Sequence, residues 1–260
     1  MSKVKMNHQT INIPLGETMK YTGLTVATLK PNEGISITAP DNEEYCFVLL
    51  SGYGDLRLNR EASVAIGNRM SVFDGPPPFA AYITAQDSMM FEAKTDVEYA
   101  LCKAPNRKKY ESRIIHPDES KVEHRGYGQI QRTAKNILPE NDPADSLLVV
   151  EVITKGGNWS SFPSHRHDED DLPNQSYLEE IYYHKLNPDE GGFAFQRVYN
   201  DDHSVDEVYV LENDCAILVK EGYHPVSVPP GYDLYYLNVM AGPTRTWKFY
   251  NDPFFEHLIK

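Results

Sequence analysis

His165-Arg166-His167 places two imidazoles two residues apart, and in an extended strand such a pair projects from one face. Two imidazoles on one face can grip one side of a divalent transition metal; a carboxylate and a third imidazole from other strands would complete a mixed nitrogen and oxygen site. The chain offers both, with Glu179 and Glu180 in Leu178-Glu179-Glu180-Ile181-Tyr182-Tyr183 and His224 in Gly222-Tyr223-His224. Nine histidines among 260 residues give roughly 0.3 His-x-His pairs by chance, so the pair takes its meaning from this context.

The elements carrying these groups must be strands. Alternation puts Glu180, Tyr182 and His184 on one face and Glu179, Ile181 and Tyr183 on the other. One carboxylate must then point inward, where it needs a cation, while the other is free to be a surface charge. The pair of histidines follows a Gly- and Pro-containing approach, residues 156–164, that delivers a strand to a barrel mouth; taken alone it reads equally as a polar edge beside Asp168-Glu169-Asp170-Asp171. His224 follows Gly222 in a tight turn after the apolar run Ala216-Ile217-Leu218-Val219, which can aim the ring into a barrel or hold it as a hydrogen-bonded turn residue. Gln196-Arg197-Val198-Tyr199 and Asp206-Glu207-Val208-Tyr209 add more polar and phenolic groups than a purely structural barrel needs.

Short apolar or alternating runs, punctuated by 18 prolines and 16 glycines, recur along the whole chain. That pattern predicts an all-β sandwich or barrel. Strands are expected over residues 22–29, 34–38, 44–51, 54–58, 71–73, 80–84, 88–94 and 97–103. A second series falls over 146–154, 176–184, 193–199, 207–212, 216–219, 224–228, 233–240 and 247–250. The polar stretch 104–126 reads as a connector, so two tandem β units are expected, at 1–112 and 127–260. The first unit has His8 as its single histidine and no His-x-His, and is assigned a structural or interfacial role.

A net charge of −13 and a pI near 5.1 exclude the clustered basic surface that nucleic acid or an anionic membrane requires. Cys46, Cys102 and Cys215 form no C-x-x-C pair, arguing against a disulfide framework or thiolate zinc site. The first residues lack an apolar leader and no window approaches the ~18 apolar residues of a membrane span, so a soluble cytoplasmic protein is expected.

Gly157, His165-x-His167, Glu180 and Gly222-x-His224 together resemble the two cupin motifs. More closely, several long strings resemble the 5-deoxy-glucuronate isomerase family of myo-inositol catabolism. They are Gly157-Asn158-Trp159-Ser160-Ser161, the His165 to Pro173 stretch, Ser176 to His184, Gln196 to Tyr199, Gly222 to Val226 and Gly231 to Pro243. The resemblance covers most of residues 146–253 and is weaker in the first half, through Asp74-Gly75-Pro76-Pro77-Pro78. It implies a tandem bicupin of two double-stranded β-helix (jelly-roll) barrels, with His165, His167, Glu180 and His224 as ligands of a divalent metal in the second barrel. The longer spacing from His167 to Glu180, Lys220 where proline is usual, and Asn213-Asp214 for Gly-Asp depart from the family pattern.

The resemblance further implies conversion of 5-deoxy-D-glucuronate, an aldose, to 2-deoxy-5-keto-D-gluconate through a metal-stabilised enediolate. Zinc is the expected ion, with manganese, iron or nickel as substitutes. Glu207, Tyr182 and His184 are the candidate proton-transfer groups. Arg197 is the candidate clamp for the substrate carboxylate, with an outward surface ion pair as its competing role, and Tyr199 and Tyr235 are candidate sugar-binding groups. The partner is a small sugar acid, and exposed edge strands favour a homo-oligomer, a dimer or higher. The competing functions are a metal-dependent cupin dioxygenase, a non-catalytic sugar-acid binding cupin, and a structural barrel without metal.

Overall fold

The computed structural model describes residues 1–7 and 10–259; His8 lies outside them. Strands dominate, and the helical segments among the described residues are two 3₁₀ turns, Gly128–Ile130 and Pro253–Leu258. No helix among them is long and apolar enough to cross a membrane. Two sheet systems follow one another along the chain, as the alternating sequence predicts.

The first system is a nine-stranded array organised by one long strand, Glu43–Leu58. Its first part pairs with Ala80–Ile83 and Val97–Pro105, and its second part with Val64–Arg69 and Ser88–Ala93. Sequence predicts two strands here, interrupted near Gly52. The structure instead turns one continuous strand from sheet to sheet at that glycine, whose φ of 92° only a residue without Cβ adopts readily. A Cβ there would meet the Asp96 carbonyl oxygen at 2.4 Å. Val64–Arg69 was not anticipated, and Ser71 to Phe73, expected as a strand, forms a turn.

The second system pairs a seven-stranded sheet with a four-stranded one. The large sheet runs in the order Ser2–Lys5, Cys215–Val219, Glu179–Asn187, Asp233–Ala241, Leu148–Thr154, Arg132–Leu138, Lys121–Arg125. The small sheet contains Trp159–Ser160, Val226–Ser227, Ala194–Tyr199 and Asp206–Leu211. The stretch 104–126 carries strands rather than an unstructured connector. Arg113–Ile115 pairs within the first system and Lys121–Arg125 within the second. Ser2–Lys5 leaves the first system altogether and pairs antiparallel with Cys215–Leu218, covering what would otherwise be an exposed sheet edge.

Both faces of the seven-stranded sheet are buried. One face, with Tyr182, Leu186, Tyr236 and Met240, packs against the small sheet as the core of the second unit. The other, with Ile181, Tyr183, Tyr235 and Leu237, packs against Leu24, Val48, Tyr82 and Cys102 of the first unit. A third core, around Phe47, Phe91 and Tyr99, belongs to the first unit alone.

Polar groups cross the junction in satisfied sets. Arg69 grips Glu151 with two parallel bonds of 2.7 and 2.8 Å, and Lys135 Nζ reaches the same carboxylate at 3.1 Å. All three side chains are at most 3% exposed. Burial pushes the Glu151 carboxyl up, but Arg69 and Lys135 outweigh it and hold the group below the ordinary carboxylate range. Glu44 accepts from the backbone N–H groups of Asp145, Ser146 and Leu147, and from the Tyr82 hydroxyl. Glu179 is not the surface charge allowed by alternation. It is buried and accepts from the Lys20 and Tyr21 N–H groups, because the face it occupies is covered by the first unit.

Replacing Glu151 by Gln would leave two buried cations without their anion. The expected loss is about 3–5 kcal/mol, the usual result of breaking a buried pair from one side. Urea unfolding of Glu151→Gln against the wild type checks this, and a change below about 1 kcal/mol would show that the cluster does not hold the units together.

Candidate metal centre

His167, Glu180 and His224 converge inside the second unit, each buried, with one ligand atom from each within 4.8 Å of the others. Glu180 lies on Glu179–Asn187, its backbone opposite Val219 on one side and Met240 on the other, so the central strand of the sheet fixes it. His167 follows the short strand His165–Arg166, and its backbone carbonyl accepts from the Leu178 N–H. His224 enters through Gly222, where φ is 88° and an added Cβ would meet the Tyr199 carbonyl oxygen at 2.6 Å.

The three imidazoles of the expected set share one arrangement. Nδ1 of His165 lies 3.1 Å from the Pro163 carbonyl, Nδ1 of His167 2.9 Å from that of Leu178, and Nδ1 of His224 2.8 Å from that of Gly222. A carbonyl only accepts, so each Nδ1 carries a proton and each Nε2 is turned away from the backbone. Nε2 of His167 and of His224 stand 3.0 and 3.2 Å from Glu180 Oε2. His165 stands at the edge of the trio, its ring centroid 5.2 Å from His224 and 6.4 Å from His167.

Burial pushes the Glu180 carboxyl up, but the neighbouring His167 and His224 rings dominate and bring it down to about 2. For His165, burial and the neighbouring His224 and His167 all act downward, to about 3, so the ring is neutral at pH 7. For His167 burial acts downward, but the Glu180 carboxylate outweighs it and raises the ring above its ordinary value, so metal binding there would displace a proton. Glu180 Oε1 and His224 Nε2 are buried without a hydrogen-bond partner. Buried orphans of this kind are uncommon, and here they point at one another's neighbourhood; a divalent ion fits them.

Around the trio the wall is aromatic and polar. The Tyr182 ring meets His224 edge-on at 5.8 Å and stacks on His184 at 5.8 Å, and its hydroxyl lies 3.0 Å from Ser161 Oγ. Burial, with the Glu180 charge next, holds that phenol protonated. His184 Nε2 faces Gln196 Oε1 at 3.3 Å while Gln196 Nε2 donates to the His224 carbonyl, so the glutamine orientation leaves the proton of His184 on Nε2. Its Nδ1 has no partner. A cavity of 710 Å³ opens beside His165, walled by Phe162, Trp247 and Phe249 and carrying Arg125 and Arg132. That volume suits a small ligand.

Four expected site residues lie elsewhere, each for a reason of strand alternation. Arg197 is 41% exposed and forms a bidentate pair with Asp206 at 2.7 and 2.8 Å, because its neighbours Gln196 and Val198 take the inward positions. Tyr199 shares that outward face, where Arg197 stacks on it at 4.2 Å and its hydroxyl donates to Asp252 at 2.6 Å. Glu207 is exposed on the outer strand of the small sheet, and its carboxylate accepts from Tyr209 rather than reaching the trio. Tyr235 points into the junction between units, near Phe73, and Tyr236 takes the barrel position opposite His184. From sequence, Tyr235 and Tyr236 both read as barrel wall with one of them able to donate to a sugar hydroxyl, and Tyr236 is the one on the inner face; Arg132 was missed.

A model of the KduI/IolB family matches residues 2–258. The 5-deoxy-glucuronate isomerase of Geobacillus kaustophilus is 54% identical over 234 residues, 90% of this chain and 84% of that one. A crystal structure of an IolB-like protein from Salmonella typhimurium superposes with a TM-score of 0.93 at 41% identity, covering 99% and 97% of the two chains. Oxalate decarboxylase of Bacillus subtilis, a protein with Mn(II) centres, shares the fold at 10% identity, with a TM-score of 0.64 over 96% of this chain and 78% of that one.

Two measurements address the centre. Glu180→Gln removes the trio's one anion, and metal content after purification should fall at least about tenfold, the scale on which even supporting residues matter. Elemental analysis reads it, with His203→Gln at an exposed histidine as control; undiminished metal in Glu180→Gln would remove the carboxylate from the set. His184 is buried and its pKa is lowered by burial from 6.5 to about 3, so the unfolded chain binds the extra proton first. Its stabilising share is full above pH 6.5 and is lost as pH falls towards 3, by up to about 1.4 kcal/mol per pH unit. His184→Gln should flatten the fall in urea midpoint between pH 7 and 4.5; an unchanged slope would show that His184 is protonated when folded.

Proposed function

The chain belongs to the KduI/IolB family, and we propose on that premise that it is an aldose–ketose isomerase converting 5-deoxy-D-glucuronate to 2-deoxy-5-keto-D-gluconate in myo-inositol catabolism. One structural observation carries the site assignment: a buried carboxylate and two buried imidazoles converge beside a cavity large enough for a sugar acid. His165, His167, Glu180 and His224 would hold the ion, with zinc the first choice for a donor set of three imidazoles and one carboxylate. When bound, a divalent cation supplies Lewis-acid polarisation of adjacent carbonyl and hydroxyl oxygens.

The rest of the chemistry falls to the barrel wall. Isomerisation takes a proton from the carbon beside the aldehyde and returns one to the former aldehyde carbon, while a hydroxyl proton moves between oxygens; the formula is unchanged. Tyr182, protonated and anchored by Ser161, is a donor towards a substrate oxygen, and His184 holds its ring by stacking. The unpartnered Nδ1 of His184 is the acceptor the same wall offers. Phe162, Trp247 and Phe249 give the ligand an apolar wall beside His165.

Metal-loaded protein incubated with 5-deoxy-D-glucuronate in D2O should yield the ketose by NMR, equally with and without oxygen. His165→Ala and His224→Ala should each lower turnover by at least about 100-fold, and Tyr182→Phe by about 100-fold with metal retained. No ketose from the loaded wild type, or full turnover in the histidine variants, sinks the proposal, and an absolute need for oxygen would make the protein a dioxygenase.

A further inference from the structure

We propose that Arg132 binds the carboxylate of the sugar acid and makes the barrel selective for acidic over neutral aldoses, an inference that rests on the isomerase reading above. Arg132 opens the strand Arg132–Leu138, and two residues on, Ala134 is in the core of the second unit, so alternation sends Arg132 to the same inner face. The side chain lines the 710 Å³ cavity together with His165, which borders the metal trio. Acid-binding and metal-binding groups thus bracket one space.

What distinguishes Arg132 is that its charge is unmatched. Among the described residues no carboxylate lies within ion-pair distance of it, and its guanidinium donates to the Ile130 carbonyl at 3.0 Å. The other cation of the cavity, Arg125, is already held by Glu123 at 2.7 and 2.9 Å and lies over the Trp247 ring. Arg166, beside the histidine pair, is matched by Asp168, Glu169 and Asp201. Burial pulls the Arg132 guanidinium below its ordinary value, with Arg125 adding to the effect and the phenols of Tyr236 and Tyr182 opposing it. A half-buried guanidinium without an anion is costly to keep and is repaid when a carboxylate docks on its fork.

The backbone fixes where that fork points. Gly126 turns with φ of 78°, and a Cβ there would come 2.8 Å from Arg132 Nη1 and 2.1 Å from the Ile130 carbonyl oxygen that Nη1 donates to. With a chain charge of −13, an acid substrate meets a repulsive field, so a local fixed cation decides whether it enters.

Steady-state kinetics of wild type, Arg132→Gln and Arg132→Lys on 5-deoxy-D-glucuronate and on its neutral counterpart 5-deoxy-D-glucose test this, with metal content measured on every sample. Arg132→Gln should raise KM for the acid about 30- to 100-fold, leave kcat within about threefold, and leave kcat/KM for the neutral sugar unchanged. Arg132→Lys, with charge but no fork, should fall between, and it carries the test if the Gln variant does not fold. Equal losses on both sugars, or no change on the acid, overturn the inference. If the wild type turns over neither sugar, the isomerase reading fails by itself, and calorimetry with D-glucuronate then decides Arg132: binding to wild type but not to Arg132→Gln sustains it, and binding to both or to neither overturns it.

Discussion

Every feature of the site depends on one sheet being buried on both faces. The inner strands of the seven-stranded sheet have no solvent side, so each must serve two cores with alternate residues. On Glu179–Asn187, Glu179, Ile181 and Tyr183 are committed to the first unit, while Glu180, Tyr182 and His184 are committed to the second. A slip of one residue would exchange the two sets, moving Glu180 out of the centre and Glu179 away from its backbone donors. The polar contacts at the junction, Glu44 with three successive N–H groups and Arg69 with Glu151, make that slip costly from the far side of the sheet.

Among the described residues no metal-ligating cluster lies in the first unit, whose part in the structure is to set the sheet. That unit carries no histidine pair, yet it supplies the surface against which the sheet is set and the donors that pin Glu179. Ser2–Lys5 completes this interlock from the other direction by extending the second unit's sheet. The two units are coupled through backbone hydrogen bonds as well as side-chain packing.

Inside the second unit, carbonyl oxygens orient the rings of the candidate centre. Pro163, Leu178 and Gly222 each accept from an Nδ1, turning three Nε2 atoms away from the backbone. The same device recurs at His184 through Gln196, where the free atom is Nδ1 instead. One strand thus presents the carboxylate of the candidate centre and, farther along, Tyr182 and His184, groups suited to holding protons.

The all-β character was legible in the sequence because it rests on local rules, and so was the pattern that singles out His167, Glu180 and His224, which the structure brings together. Period-two alternation, turn glycines and the His-x-His spacing act within a few residues, and the resemblance to a known family added Glu180 as the inward carboxylate. What sequence left open was which face of each strand is the inner one. Arg197 and Tyr199 alternate with Gln196 and Val198 as cleanly outward as they would inward, and Tyr235 beside Tyr236 poses the same choice. Only packing against the small sheet and the first unit settles it, since burial on a given face is a property of partners far away in the chain. The same distance explains Glu179, buried by residues more than 150 positions away, and Arg132, whose missing counter-ion is visible only when its surroundings are assembled.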